Sequence, residues 1–591
     1  MDELEKKRRG RSGVVGRILG AGSSAIDKTE GHFKENFLSR FKNIDLIKWR
    51  LRGWFFVIFA LIILSVVQTN WYNGAFRVES YGEGGDYHEG TTGEIKTLNP
   101  LYASSNAEKI LAKLLFNGLL GPDGKGNISN VLAETVKREG DGKIWTVKIK
   151  DNLKWSDGKK LTIDDVLFTV KLIQDEKTKT VLKSTMSNVK ASKINNNTIK
   201  FELGTPYAAF TNSLTFPILP KHILKDINPE RLYENKFSRE PIGSGAFILK
   251  TTQVVDGNQT AYLNRNDNYY LKSTKLNSYT LTSYKDNAQL EKAMSDGTIM
   301  GTGDLNTLDN KIENSSIEVR RVSLNGGTYA FLNTQSELLS NVEIRRAIQQ
   351  GVDVTKLRDG IADAWPLDFP ILDKQVFGIN YPKLVAYDKK AAYERLKKIG
   401  LSEKNGKKTI NGKEMNIRLA VPKRSLLQEF AERMKTQLEE LGFTVSINSG
   451  TSNKSDSNDF FTSVVQARDY DILIYEIDLG ADADPYPYYS STQVGAGGVN
   501  LSNYKNAIMD DLLLSARSTL SKDLRRMKYE KFMTQWVDQA LALGICQSHM
   551  DYYHVKNSRI FGEDTILQSS FDRYYDINEW AVEKATFNQT P

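Results

Sequence analysis

The chain has 591 residues, more than one hydrophobic core serves, so two or three domains are expected. Hydrophobic residues make up 40% and charged residues 26%, the balance of a globular protein rather than a disordered or fibrous one. The net charge of +8 is uneven: residues 1–52 hold thirteen basic and seven acidic side chains, while 67 basic face 65 acidic ones in the remainder, so charge makes no case for nucleic-acid binding.

The basic segment 1–52 runs into Gly53-Trp-Phe-Phe-Val-Ile-Phe-Ala-Leu-Ile-Ile-Leu-Ser-Val-Val67, and no charge occurs between Arg52 and Arg77. Residues 53–72 suffice to cross a bilayer, which takes about twenty apolar residues. Trp54 at one end and Trp71 and Tyr72 at the other suit the membrane interfaces. Lys48, Arg50 and Arg52 precede the span and no basic residue directly follows it. The positive-inside rule therefore predicts a single-pass cell-membrane protein, its N-terminal segment cytoplasmic and its bulk extracytoplasmic. A cleaved signal peptide fits less well, because the basic region is long and no A-x-A site follows. The single cysteine, Cys546, excludes a disulfide within the chain, and none near the N-terminus is available for a lipid.

Residues 73–90 are rich in Gly, Glu and Tyr and read as a linker. Beyond it, helical spacing predicts helices at Asn106–Leu115, Ile163–Gln174, Val342–Gln350, Lys389–Ile399, Ser425–Leu441 and Lys522–Ala540. Alternation or apolar runs predict strands at Trp145–Lys150, Thr198–Glu202, Ala246–Lys250, Met415–Val421, Thr444–Asn448 and Asp471–Ile477. Asp141-Gly142, Asp157-Gly158 and Asn411-Gly412 are hairpin signals. The mix is α/β or α+β.

Two stretches are dense in polar side chains. In Trp155-Ser-Asp-Gly-Lys-Lys-Leu-Thr-Ile-Asp-Asp-Val-Leu-Phe-Thr169, Ser156-Asp157-Gly158 makes a turn, Thr162 is an N-cap with Asp165 as its capping acid, and Ile163, Val166, Leu167, Val170 and Ile173 share a helix face. Each polar residue has a structural task, so this stretch reads as scaffold. The second is Glu476-Ile-Asp-Leu-Gly-Ala-Asp-Ala-Asp-Pro485, followed by Tyr486, Tyr488 and Tyr489. A strand running into carboxylates, glycine and aromatics has the composition of a binding loop for a cation or amine; a solvated acidic turn or a loose calcium site has it too, although EF-hand spacing is absent.

The chemistry of an enzyme is not indicated. The five histidines, His32, His88, His222, His549 and His554, do not fall at metal-ligand spacing, and Gly243-Ser244-Gly245 is not a nucleophile elbow. No P-loop or dinucleotide fingerprint occurs. No catalytic residue, metal ligand or cofactor is assigned.

The stretch from Trp155 to Thr169 resembles the signature of the extracytoplasmic solute-binding proteins of dipeptide and oligopeptide ABC importers, bacterial solute-binding protein family 5. Further blocks follow in family order: Leu98-Asn-Pro-Leu101, Leu115-Phe-Asn-Gly-Leu119, Pro241-Ile-Gly-Ser-Gly-Ala-Phe247, Asn268-Tyr-Tyr270, Phe331-Leu-Asn-Thr334, Val342-Glu-Ile-Arg-Arg-Ala-Ile348, Tyr387-Asp388 and Tyr504-Lys-Asn506. The resemblance, over about 88–580, implies a two-lobed periplasmic-binding-protein fold (type II, cluster C, with an extra subdomain) after the N-terminal transmembrane helix. Lobe 1 is expected at 88–325 plus 546–591, its extra subdomain at 117–205, and lobe 2 at 326–545.

The resemblance also implies a function: a monomeric receptor that closes on a peptide ligand and delivers it to the permease subunits of an ABC importer. In peptide-binding members an aspartate before Asp-Pro pairs with the peptide's α-amino group. Here that loop is one residue short; Asp482 is the first candidate, with Asp478 and Asp484 as alternatives and Tyr486 beside them. The segment Tyr102-Ala-Ser-Ser105 (Tyr102, Ser104, Ser105) matches the family's peptide-pairing edge, and Gly326–Tyr329 (Gly326, Tyr329) lies at the lobe crossing. The shortened loop keeps open another ligand, such as a sugar or a sensed signal peptide, or a surface scaffold that has lost ligand binding.

Overall fold

The computed structural model describes residues 44–588 apart from 76, 181, 187, 272–273, 306–315, 362–363, 373–374, 377, 405–406, 451–459, 481, 496 and 583. Residues 1–43, most of the expected cytoplasmic segment, lie outside the described residues. Two units are distinguished, 1–80 with 585–591, and 81–584.

The first unit contains helix α1 (Ile44–Ala75), within which Lys48–Thr69 is long and apolar enough to cross a membrane by length and composition. Strand Arg77–Tyr81 pairs with Lys584–Asn588 near the C-terminus. The boundary between the two units falls within the expected linker 73–90, whose ends are structured: α1 runs to Ala75, and Asp86–Thr92 is a further strand, β1, of the main sheet. Its inward residues hid it from sequence reading, because beside Tyr87 they are the polar Glu89 and Thr91. Glu89 is fully buried and satisfied: Arg573 Nη2 donates to it at 2.6 Å and Tyr574 Oη at 2.8 Å, and Tyr279 donates as well. A buried carboxylate needs such partners.

In the second unit, helix α2 (Asn106–Leu115) opens with a Ser105 capping box, and α3 (Ile163–Gln174) opens where Thr162 and Asp165 place it. Asp165 accepts from Thr162 N at 2.8 Å and from Lys221 N at 2.9 Å, and Trp155 is wholly buried, so the tryptophan stretch is scaffold. It lies beside a four-stranded antiparallel sheet whose central strands are Ile144–Ile149 and Thr198–Leu203, with a turn at Asp141-Gly142 where Gly142 has φ +87°.

The main sheet has ten strands. Its centre is built from β2 (Ile317–Leu332), β3 (Ile472–Asp478) and, after helices α4 (Ala507–Ser518) and α5 (Lys522–Asp538), β4 (Ala542–Val555). Side chains of successive strand residues face opposite ways. Tyr329, Phe331 and Leu473 accordingly enter one core with Phe532 and Trp536 of α5, while Ala330, Leu332, Ile472 and Ile474 enter another with Phe430, Met434 and Leu438 of helix Ser425–Glu440. Helices on both faces explain why β3 reads as a continuous apolar run. A separate core gathers Tyr87, Ile110, Trp155, Tyr279, Tyr552 and Trp580.

β2 and β4 thread both halves. Ile317–Ser323 lies opposite Val555–His549, where Val322, Met550 and Tyr552 join the core of Tyr87 and Trp580, and Gly327–Phe331 lies opposite Gln547–Ala542 beside the other two cores. The register breaks between Ser323 and Gly327, where Leu324 bridges Leu567 and Gly326 pairs with Asp478 of β3. This break is the crossing between two mixed α/β lobes. Glycine is required there by close approach: a Cβ on Gly327 would lie 2.8 Å from the Cys546 carbonyl oxygen, and one on Gly326 2.7 Å from that of Ile477.

Candidate functional site

The acidic loop leaves the C-terminal end of β3 beside the crossing. Leu479 N donates to the Asn325 carbonyl at 2.7 Å, and the Gly480 carbonyl accepts from Asn325 Nδ2 at 3.0 Å and Gln375 Nε2 at 3.1 Å. Gly480 adopts φ +67°, a region that favours glycine. The loop is thus mounted on the hinge and follows it.

Its three carboxylates have different partners. Asp482 is bound through both oxygens by Arg525 of α5, one contact measuring 2.6 Å, and the guanidinium also donates to the Ala483 carbonyl at 3.2 Å. Tyr529, one turn along α5, donates to the same carbonyl. Burial alone would lower the Arg525 pKa, but the Asp482 carboxylate and the Tyr529 phenol carry it above its ordinary value. Asp484 is paired with Arg517 of α4 at 3.0 Å; burial still outweighs this attraction and raises its pKa. Asp478 has no basic side-chain partner among the described residues; its Oδ1 accepts only from Gly480 N, at 2.7 Å. It is exposed to solvent, yet its pKa is raised, first by the protein crowded around it and then by Asp572 and Glu476. Solvent contact together with desolvation describes a carboxylate in a cleft. Asp572 is itself paired with Lys113 at 2.8 Å.

Arg517 also joins the lobes. Its guanidinium lies 4.7 Å from the ring centres of both Tyr207 and Tyr486, the first in lobe 1 and the second on the acidic loop's helix. Tyr207 donates to Asp484 at 3.4 Å, and Ala208 N donates to the Arg517 carbonyl at 3.0 Å.

The other sequence-predicted residues divide. Gly326 stands opposite Asp478, and Tyr486 is at the Arg517 latch. Tyr102 is half-buried against Tyr233, 5.4 Å between ring centres, and burial pushes its phenol up to about 12. Ser104 and Ser105 do not offer their amides to a ligand. Both amides donate to Glu108 Oε2, at 2.8 and 3.0 Å, because that carboxylate caps the start of α2. Tyr329 is also not a cleft residue: it is fully buried and donates to the Phe369 carbonyl at 3.0 Å. Sequence reading missed Arg517, Arg525, Asn325 and Tyr207, whose roles rest on long-range pairing that no local spacing signals.

Residues 127–499 match the family model described as bacterial extracellular solute-binding proteins, family 5, middle region. The chain belongs to this family. Among its relatives, the oligopeptide-binding protein AppA of Bacillus subtilis is 28% identical over 473 residues, which cover 76% of this chain and 83% of AppA. The structure of AppA in complex with a nonapeptide superposes with a TM-score of 0.68 and 25% identity, covering 85% of this chain and all of that one. The ABC transporter substrate-binding protein CtaP of Listeria monocytogenes gives a TM-score of 0.72 at 23% identity, covering 85% of this chain and 99% of CtaP, and shares the fold. The family's two-lobed mixed α/β architecture matches the lobes and the crossing described above, and its extracellular name places the solute-binding domain outside the cytoplasm.

Proposed function

We propose that this protein is a membrane-anchored, extracytoplasmic receptor that captures oligopeptides between its lobes and delivers them to an ABC import permease. It is read as a type II, cluster C binding protein: 1–52 cytoplasmic, 53–72 spanning the membrane, lobe 1 over 88–325 plus 546–591 with its extra subdomain at 117–205, and lobe 2 over 326–545. It acts as a monomer and as a binder, not an enzyme. The relationship to an oligopeptide-binding protein supports the ligand class. The observation that carries the reading is Asp478 beside the hinge, without a basic side-chain partner among the described residues, while its two neighbours are neutralised by arginines.

A free α-ammonium supplies what Asp478 lacks. The crowded setting that raises the carboxyl's pKa is one in which a bound cation gains most, because the local dielectric is low. Of the three candidate acids, Asp478 therefore receives the amino group; Asp482 and Asp484 hold the loop and the latch. Ligand binding shifts the lobes toward the closed form by its differential affinity for that form. The anchor keeps the receptor concentrated at its permease.

The test is native mass spectrometry of the full chain in nanodiscs, with identification of whatever denaturation releases. Short peptides with free N-termini, absent from Asp478→Asn protein, are expected. A sugar or other non-peptide solute as the sole released species refutes the peptide assignment.

A further inference from the structure

Lobe 1 holds a cavity of about 380 Å³, within the range of ligand sites, to which no residue of the acidic loop contributes. One face of α2, through Lys109, Ala112 and Phe116, forms one wall; Tyr269 and Tyr270 and the segment around Phe571 and Tyr574 form others. The lining mixes aromatic and aliphatic side chains with uncharged polar ones such as Asn117, Asn212 and Thr215, and its charge is one-sided. Among the described residues Asp572 is the only acid in it, and that carboxylate is consumed by Lys113 at 2.8 Å and by Ser569 N at 3.1 Å. Lys109 has no acidic partner among the described residues; its ammonium stands 5.2 Å from the centre of the Phe571 ring. Outside the lining, the Lys150 ammonium lies 4.4 Å from the ring centre of the lining residue Tyr270, with no acidic partner among the described residues, and burial holds its pKa below the ordinary value.

We infer that this cavity is an anion-selective subsite for a carboxylate carried on an aromatic or other apolar body, with Lys109 as its counter-ion. The apolar body fills the space between α2 and the tyrosines, and the carboxylate meets an ammonium that the fold leaves unpaired. The inference rests on the peptide reading only for the natural ligand: the C-terminal residue of a peptide ending in an apolar side chain has this chemistry. Asp478 in lobe 2 and Lys109 in lobe 1 then select opposite ends of one dipolar ligand.

The test uses two pairs of probes on the full chain in nanodiscs: 4-phenylbutyrate against its amide, and a tetrapeptide ending in Phe as free acid against its C-terminal amide. Wild-type protein is expected to prefer each acid on the order of tenfold, as a charge-assisted contact gives. Lys109→Met keeps the apolar stem and should abolish both preferences, whereas Lys109→Arg should retain them. Ala112→Trp fills the cavity and should displace the phenylbutyrate. Equal binding of acid and amide, a preference that survives Lys109→Met, or phenylbutyrate binding undisturbed by Ala112→Trp overturns the inference. If the small acid discriminates and no peptide binds, the subsite stands and the peptide reading falls. If peptides bind and neither pair discriminates, the subsite falls and the peptide reading stands.

Discussion

Asp482 is the acid that family resemblance favours for the ligand, and its partnership with Arg525 gives it a different task. The two side chains are 19% and 15% exposed, and the carboxylate is held through both oxygens. Removing one partner leaves a largely desolvated charge without its counter-ion, which costs about 3–5 kcal/mol for a fully buried pair. With this residual exposure, about 2–3 kcal/mol is expected for Arg525→Met, including the lost donor to the Ala483 carbonyl. Asp482→Asn leaves a guanidinium facing an amide and should cost about 1–2 kcal/mol. The double variant Asp482→Asn/Arg525→Met removes both charges and should be more stable than the sum of the single losses by about 1–2 kcal/mol. Urea unfolding followed by far-UV circular dichroism reads the midpoint shifts. Peptide affinity of folded Asp482→Asn protein should stay within about threefold of wild type, since a structural charge pair contributes little directly to the ligand. Strictly additive single losses, or a lost affinity without lost stability, would refute the assignment of Asp482 to scaffold and return it to the ligand.

Peptide affinity should fall on acidification, since the ammonium needs an ionised Asp478; with that pKa raised, the fall begins at higher pH than for an ordinary aspartate, and calorimetric titration between pH 7 and 4 that finds no fall in wild type, or the same fall in Asp478→Asn, contradicts this. Arg517→Ala removes the stacking that joins Tyr207 to Tyr486; at about 0.5–2 kcal/mol per cation–π contact, the closed form should lose roughly tenfold in population, seen as a larger radius of gyration by small-angle scattering and a weaker apparent Kd. Asp576, which accepts from Trp580 Nε1 at 3.0 Å, has its pKa pushed up to about 6 by burial. A carboxyl with a raised folded pKa binds its proton more tightly when folded, so its contribution is full below the unfolded value of 3.8 and is lost as pH rises through about 6. Asp576→Asn should therefore raise Tm at pH 8, by up to roughly 3 kcal/mol of stability, and leave it unchanged at pH 4; the opposite order of effects contradicts the sign.

Local periodicity made much of this fold legible. Asn106–Leu115 and Ile163–Gln174 have the ends their caps announce, and Phe430, Met434, Leu438 and Leu441 are all fully buried along one stripe. β3 could be read because both of its faces meet helices. The strand at Asp86–Thr92 could not, because its buried carboxylate is balanced by Arg573, almost five hundred residues away. The same limit applies to the site. A loop of three aspartates before a proline was visible, but which of them is free depends on Arg517 and Arg525, and no spacing within the loop encodes them. Family resemblance assigns Ser104 and Ser105 to a peptide-pairing edge; the Glu108 carboxylate, four and three residues on, accepts from both of their amides.

The arrangement of these parts constrains how binding and closure are coupled. Gly326 and Asp478 are paired residues, so the loop acid that has no basic partner among the described residues stands directly on the register break between the lobes. Asn325 holds the next two residues, Leu479 and Gly480, to the same point. On the proposed reading, a ligand ammonium at Asp478 acts at this register break. A second contact is Arg517, whose guanidinium lies between Tyr207 and Tyr486. A charge bound there favours closure only by interacting better with the closed arrangement. Loss of Arg517 removes contacts to both Tyr207 and Tyr486, and so should weaken binding without touching the ligand.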